Sequence, residues 1–147
     1  MKINVKILLT LIIVLVGLFL FLNSNKEIKS VCINEKCFLV EIADSNEERI
    51  KGLSNRDFLE ENKGMFFIFE KETVPNFWMK DMNFPIDIIW IDKEMKIVGI
   101  EENIQPCFSD KLCQTFSPME KIKYVLEINA GLSDENNFTS GESIIFN

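Results

Sequence analysis

Residues 65–91 read MFFIFEKETVPNFWMKDMNFPIDIIWI, a stretch dominated by aromatic residues and isoleucine. Prolines at positions 75 and 85 divide it into three runs. The runs are Met65–Phe69, Asn76–Lys80 and Ile86–Ile91. Because aromatic and β-branched residues favour strands and proline interrupts them, the stretch predicts three short strands.

Further strand-like runs lie on both sides of this stretch. They are Ile28–Ile33 and Lys36–Ile42 before it, and Lys96–Glu101, Tyr124–Ile128 and Ser143–Phe146 after it. Asn34-Glu35 is a plausible two-residue hairpin loop between the first two, whereas Gln105–Pro118 is predicted to be a loop. Roughly six to eight short strands at this spacing indicate a mainly β sandwich or barrel.

One helical insertion is predicted between the second and third runs. Ser45 lies three residues before Glu48, the spacing of a capping box, and Gly52 is a suitable helix end. A second helical turn is predicted from Ser54 to Gly64. The alternative is that both segments are loops whose residues only resemble helix-capping residues.

Composition excludes several kinds of chemistry. The chain has 147 residues and no histidine, so Ser-His-Asp triads, Cys-His pairs and histidine-bearing zinc sites are absent. Its net charge of −7 argues against a nucleic-acid partner, because phosphate binding needs clustered lysine and arginine. No cofactor and no metal are predicted.

The N-terminal segment has the composition of a membrane anchor. Residues 7–22 are apolar apart from Thr10 and Gly17, and Lys2 and Lys6 precede or border them. We predict an uncleaved transmembrane helix and linker at residues 1–25, with the N-terminus inside. Residues 26–147 then form an extracytoplasmic β domain at the cell membrane. The alternative is a cleaved signal peptide, which would give a secreted form.

The four cysteines form two local pairs in the sequence. Cys32 and Cys37 lie symmetrically about the predicted hairpin turn, which places their Cα atoms about 4.5 Å apart. Cys107 and Cys113 bracket a short segment of one loop. Their even number and an outside location favour two structural disulfides. A four-cysteine zinc site and a redox-active Cys107/Cys113 pair are the alternatives, but both spacings are unusual for them.

Several segments occur together in a specific order. They are RIKGLSNR at 49–56, GMFFIF at 64–69, FWMK at 77–80, PIDIIWID at 85–92, Pro106-Cys107 and YVLEINAG at 124–131. From about Val40 to Phe146 the chain resembles the family called domain of unknown function 192, small exported or membrane-anchored bacterial and archaeal proteins. The resemblance implies a compact, jelly-roll-like β fold with a short helix near its start, and no established activity.

The chain departs from the family pattern at two positions. Phe116 stands where a tyrosine commonly follows the cysteine loop, so any role of a phenol hydroxyl at this position does not carry over from the family. Glu142 stands where aspartate commonly follows the closing glycine, which keeps the carboxylate and changes its reach.

Five side chains are candidates for ligand binding: Arg49, Arg56, Trp78, Lys80 and Asp87. Guanidinium groups can grip a carboxylate or phosphate, although both arginines could instead pair with Asp57, Asp87 or Glu127. Strand alternation places Trp78 and Lys80 on one face, either as a stacking platform or over a second core layer. Asp87 lies in an apolar run, where a carboxylate is either partnered or functional.

These features predict a non-enzymatic, membrane-tethered domain that binds an unknown small molecule or an envelope protein. Its candidate surface joins Trp78, Lys80, Asp87 and the Cys107–Cys113 loop. One alternative is a hydrolase or lyase that acts on envelope glycan through carboxylates such as Asp87 and Glu101. Another is a structural accessory subunit of an envelope complex.

Overall fold

A computed structural model describes residues 29–108 and 113–147. In this part of the chain no helix combines the length and the apolar character needed to cross a bilayer. The predicted anchor at residues 1–25 lies outside the described residues, as does most of the segment between Cys107 and Cys113.

The described residues form nine strands and two short helices. In chain order these are β1 Lys29–Ile33, β2 Lys36–Ala43, α1 Asn46–Lys51, β3 Lys63–Thr73, β4 Phe77–Trp78, β5 Ile86–Ile91, β6 Ile97–Ile104, β7 Thr115–Phe116, β8 Ile122–Asn129, α2 Leu132–Glu135 and β9 Ile144–Phe146. The prediction of a mainly β chain with a short helical insertion is therefore confirmed.

Seven of these strands form one sheet in the order β6-β5-β8-β3-β2-β1-β9. Within this sheet only β2 and β3 pair in parallel. Residues 44–62, which contain α1 and are called the α1 connection, join these two strands. The two edge strands approach each other at one end, where Ile97 N donates to Glu142 O at 2.9 Å and Ile144 N donates to Met95 O at 2.8 Å. The sheet is thus curled on itself, and β4 and β7 form a separate two-stranded ribbon.

The central strands are buried on both faces. All six residues of β5 are buried, and alternate side chains enter two different clusters. Ile89 and Ile91 join a first cluster with Phe38, Phe66 and Leu126. A second cluster covers the opposite face of the sheet; its members include Leu53 and Leu59 from the α1 connection, Met79 and Met82 near the ribbon, and Trp90 from β5. The α1 connection and the ribbon therefore form a layer over one face of the sheet.

The hairpin prediction is confirmed in register. Cys32 pairs with Cys37 and Ile33 with Lys36 across the Asn34-Glu35 turn. The Cys32 and Cys37 Cα atoms are 4.0 Å apart and a disulfide joins them. A second disulfide joins Cys107 and Cys113, as predicted.

Three details of the prediction were wrong. The segment from Ser54 to Gly64 contains turns rather than helix, because Asn55 N donates to Asp81 O across the layer instead of to its own preceding turn. The predicted loop Gln105–Pro118 contains β7, which pairs with β4. Helix α2, which follows β8, was not among the predicted elements.

Candidate functional site

A cavity of about 250 Å³ lies between the α1 connection, β3 and the β4 ribbon. Its deep part is formed by buried residues of the second cluster and its mouth by exposed residues of α1 and the ribbon. The deep lining includes Leu53, Phe67, Met82 and Glu127; Phe69 and Phe77 form walls; Asn46, Arg49, Ile50, Lys51, Asn76 and Trp78 surround the mouth. The cavity is therefore mostly aromatic and apolar, with charged groups at the mouth and one carboxyl group at the deep end.

Helix α1 borders the mouth, and local sequence fixes its ends. Ser45 Oγ accepts from Glu48 N at 3.2 Å, while Glu48 Oε2 accepts from Ser45 N at 3.2 Å, which confirms the predicted capping box. Gly52 ends the helix with a φ of 49° and a ψ of −136°, a combination that strongly favours glycine. A Cβ atom on Gly52 would lie 3.6 Å from the Phe67 ring and 4.0 Å from Glu127 Oε2. The absent side chain thus leaves space directly above Glu127.

Glu127 is the polar group of the deep end. It lies on β8, paired with Met65 of β3 and Ile88 of β5, and is 6% exposed. Its Oε2 atom has no hydrogen-bond partner among the described residues. Burial raises the pKa of Glu127 to about 8, and the positive charge of Arg56 opposes this shift only partly. Glu127 is therefore protonated at neutral pH and presents a neutral carboxyl group to the cavity.

Arg56 has a structural partner rather than a place in the cavity. Its Nη1 and Nη2 atoms contact Glu41 Oε1 and Oε2 at 2.5 and 3.0 Å, a bidentate ion pair that ties the α1 connection to β2. The hydrogen bond to Glu41 raises the pKa of Arg56. The predicted pairing with an acidic residue is thus present, but the partner is Glu41 rather than Asp57, Asp87 or Glu127.

Arg49 lies at the mouth and is held in place by neutral oxygen atoms. Its Nη1 atom donates to the backbone oxygens of Asp44 and Ile68, and its Nη2 atom donates to Asn46 Oδ1 at 2.6 Å. The guanidinium carbon lies 5.3 Å from the centre of the Phe69 ring. Among the described residues no carboxylate forms an ion pair with Arg49. Arg49 is thus an oriented positive charge that pairs with no carboxylate of residues 29–108 or 113–147.

Trp78 lines the cavity and Lys80 does not, so the two side chains do not form one surface there. Trp78 is 53% exposed at the cavity mouth, whereas Phe77 faces inward and packs edge-on against Phe67 and Trp90. Of the two alternatives given for Trp78, an exposed aromatic surface is therefore the one observed, and Trp78 does not cover a second core layer. The backbone of Lys80 pairs with Cys107, which places Lys80 beside the disulfide loop and outside the cavity lining.

Asp87 lies on the opposite face of the sheet and is fully buried. Its carboxylate accepts three backbone N–H groups, from Asn103 at 2.8 Å, Gly131 at 3.1 Å and Ser133 at 2.9 Å. Asp87 is therefore a partnered carboxylate, one of its two predicted alternatives, but its partners are backbone amides instead of Arg56. Asp87 therefore anchors β6 and the start of α2 to β5, and the predicted surface that joined Asp87 with Trp78 is divided between two faces.

Sequence reasoning named Glu127 only as a possible arginine partner. The signal that could have identified it is the one used for Asp87, a carboxylate within an apolar run, here Tyr124–Ile128. Within residues 29–108 and 113–147, no three cysteine or acidic side chains are grouped as metal ligands.

The fold and the cavity define a small, mainly β domain with one aromatic cleft that contains a buried carboxyl group. Residues 29–146 match the profile of DUF192, a family described as an uncharacterized ACR. The chain belongs to this family.

Two solved structures share the fold. One is a protein of unknown function from Novosphingobium aromaticivorans DSM 12444, with 26% identity and a TM-score of 0.72 over 80% of this chain and 83% of that chain. The other, from Sinorhizobium meliloti 1021, is provisionally named a transcription regulator; it has 26% identity and a TM-score of 0.72 over 80% of this chain and 91% of that chain. No curated protein matches the chain.

Proposed function

We propose that this protein is a membrane-anchored, extracytoplasmic domain that binds a small molecule in the cavity beneath α1. The observation that carries the proposal is the unpaired, buried Oε2 atom of Glu127 inside an aromatic cavity. A buried polar atom without a partner is costly unless something else satisfies it. A ligand that contacts Glu127 would remove this cost and cover the surrounding rings.

The binding test uses the two tryptophans as reporters, because one lines the cavity and the other does not. The full-length protein, kept in lipid nanodiscs and labelled with 5-fluorotryptophan, has two fluorine resonances, which Trp78→Phe assigns. We expect at least one of acetophenone, 4-acetylbenzoate and benzylamine to shift the Trp78 resonance saturably. Trp90 is buried beyond the cavity lining and serves as the internal control.

If none of the three probes shifts the Trp78 resonance, the cavity does not bind small aromatic molecules. The proposed binding function would then be wrong, and the structural accessory subunit would become the better hypothesis. Equal shifts of both resonances would indicate nonspecific association and would count against the proposal as well.

The extracytoplasmic location is supported by the apolar N-terminal sequence and by the two disulfides, which persist in oxidising compartments. We expect intact mass spectrometry of the oxidised full-length protein to show no alkylated cysteine, even in denaturant. After reduction in denaturant, all four cysteines should be alkylated. Alkylation of four thiols without reductant would contradict both the disulfides and the proposed location.

A carboxylate-based hydrolase receives less support from the geometry. Asp87, the predicted catalytic candidate, is sealed from solvent and its oxygens are occupied by three amides. Glu101 lies on β6 and lines a different cavity of about 340 Å³, with Glu102 and Gln105. A substrate therefore has no common site at which to meet these two carboxylates.

A further inference from the structure

The charges around the cavity point to a particular class of ligand. Arg49 and Lys51 line the mouth, and Glu127 is the one acidic residue of the lining within the described part of the chain. Since the Glu127 carboxyl is neutral at physiological pH, the cavity carries two positive charges on a chain whose net charge is −7. Such a local reversal of sign favours an anion at the mouth over a cation.

The two ends of the cavity favour different chemical groups on a ligand. At the mouth, Arg49 is already oriented by three oxygen acceptors, so pairing with an anion costs it little further ordering. At the deep end, a protonated Glu127 needs a hydrogen-bond acceptor. Between them, Phe69, Phe77 and Trp78 provide ring surfaces suited to a flat or branched apolar body.

We propose that the cavity binds a small apolar carboxylate, with its charged group facing Arg49 and Lys51 and an acceptor oxygen at its far end facing Glu127. This inference rests on the proposed binding function and specifies its ligand. The lining of one cavity brings together the oriented positive charge of Arg49, the aromatic rings and the unpaired, buried Oε2 atom of Glu127. A cationic ligand would be repelled by Arg49 and Lys51 at the mouth. A purely apolar ligand would leave the Glu127 carboxyl without a hydrogen-bond partner.

Binding should weaken as the pH rises through about 8, because ionised Glu127 loses its donor proton and repels a ligand that carries acceptor oxygens. The charged groups near Glu127 come from the α1 connection and β2. The positive charge of Arg56 acts on Glu127 without an ion pair, Glu41 pairs with Arg56, and Arg49 and Lys51 line the same cavity. The residues paired with Glu127 on β3 and β5, Met65 and Ile88, are uncharged. Glu127 is therefore the group expected to change charge in this range.

The test compares three probes that differ in one group each. 4-Acetylbenzoate carries both the carboxylate and the acceptor oxygen, 4-ethylbenzoate lacks the acceptor, and acetophenone lacks the carboxylate. From the Trp78 resonance of the full-length protein at about pH 6.5, we expect 4-acetylbenzoate to bind about tenfold more tightly than acetophenone, the effect of one charge-assisted contact. It should also bind about tenfold more tightly than 4-ethylbenzoate, which leaves the buried Glu127 donor without an acceptor.

Variants assign each contact to its residue. Lys51→Met should weaken 4-acetylbenzoate about threefold to tenfold and leave acetophenone unchanged, as expected for one partly exposed charge pair. The matched control Lys96→Met removes the same charge outside the cavity lining and should change neither Kd. Wild-type protein should lose affinity for 4-acetylbenzoate between about pH 7 and pH 9.5, whereas Glu127→Gln should not.

The outcomes separate the two proposals. If acetophenone binds as tightly as 4-acetylbenzoate, or benzylamine binds more tightly than both, the ligand class is wrong while the binding function stands. An equal effect of Lys51→Met and Lys96→Met would also overturn the ligand class, since only net charge would then matter. If no probe shifts the Trp78 resonance, both proposals fail.

Discussion

Replacing Asp87 with asparagine should lower the free energy of unfolding by about 3 kcal/mol, since hydrogen bonds to a buried charged group contribute roughly 1.5–3 kcal/mol each. The carboxylate accepts N–H groups with both oxygens, Oδ1 from Asn103 and Gly131 and Oδ2 from Ser133. The asparagine amide can accept with only one atom, so its NH₂ group would face at least one backbone N–H donor. The loss should be visible as a lower urea midpoint with an unchanged slope.

The control for this substitution is Asp134→Asn. Asp134 lies on α2, one residue beyond the Ser133 amide that Asp87 binds, but it is exposed. Its replacement should change the free energy of unfolding by no more than about 0.5 kcal/mol. If Asp87→Asn were as mild as this control, the three amide contacts would not hold β6 and α2 in place, and a functional role for Asp87 would have to be reconsidered.

The second large effect is a pH-dependent loss of stability caused by Glu127. The folded chain keeps a proton on this carboxyl up to a pKa of about 8, whereas an unfolded chain releases it near the ordinary value of 4.5. Between these values the folded state binds more protons, so this group's contribution is fully present below about pH 4.5 and is lost as the pH rises to about 8. The slope approaches about 1.4 kcal/mol per pH unit.

Glu127→Gln isolates this contribution, because glutamine keeps the shape of the side chain and cannot ionise. We expect urea unfolding curves of the variant and the wild type to give similar free energies near pH 5. Their difference should then grow in favour of the variant up to about pH 8 and remain constant above it. A constant difference across this range would show that Glu127 ionises normally, and the neutral carboxyl group assumed for the cavity would be wrong.

The local elements of the fold followed from the sequence. Apolar runs predicted most strands, and the symmetry of Cys32 and Cys37 about Asn34-Glu35 predicted both the hairpin register and its disulfide. The capping box at Ser45 and Glu48 predicted α1. Each of these signals depends on residues within a few positions of one another, so it can be read without knowing the rest of the structure.

The candidate site was only partly predictable. Arg49 and Trp78 were selected from sequence and both line the cavity, whereas Glu127 was considered only as an arginine partner. Asp87 and Glu127 carry the same sequence signal, a carboxylate in an apolar strand. Register separates them: Asp87 lies opposite Ile128, so the two carboxylates occupy opposite faces, one among backbone amides and one beneath Gly52.

The strand-rich class, the two local cysteine pairs, the ends of α1 and the family could be predicted from the sequence. The tertiary structure was needed to show that Arg56 pairs with Glu41, that β4 pairs with β7 and that residues 54–62 contain turns instead of a helix. It also decided which buried carboxylate is satisfied and which one faces a cavity. The physical reason is that burial and hydrogen-bond partners depend on residues distant in the chain, and a shift of one position along a strand moves a side chain to the other face.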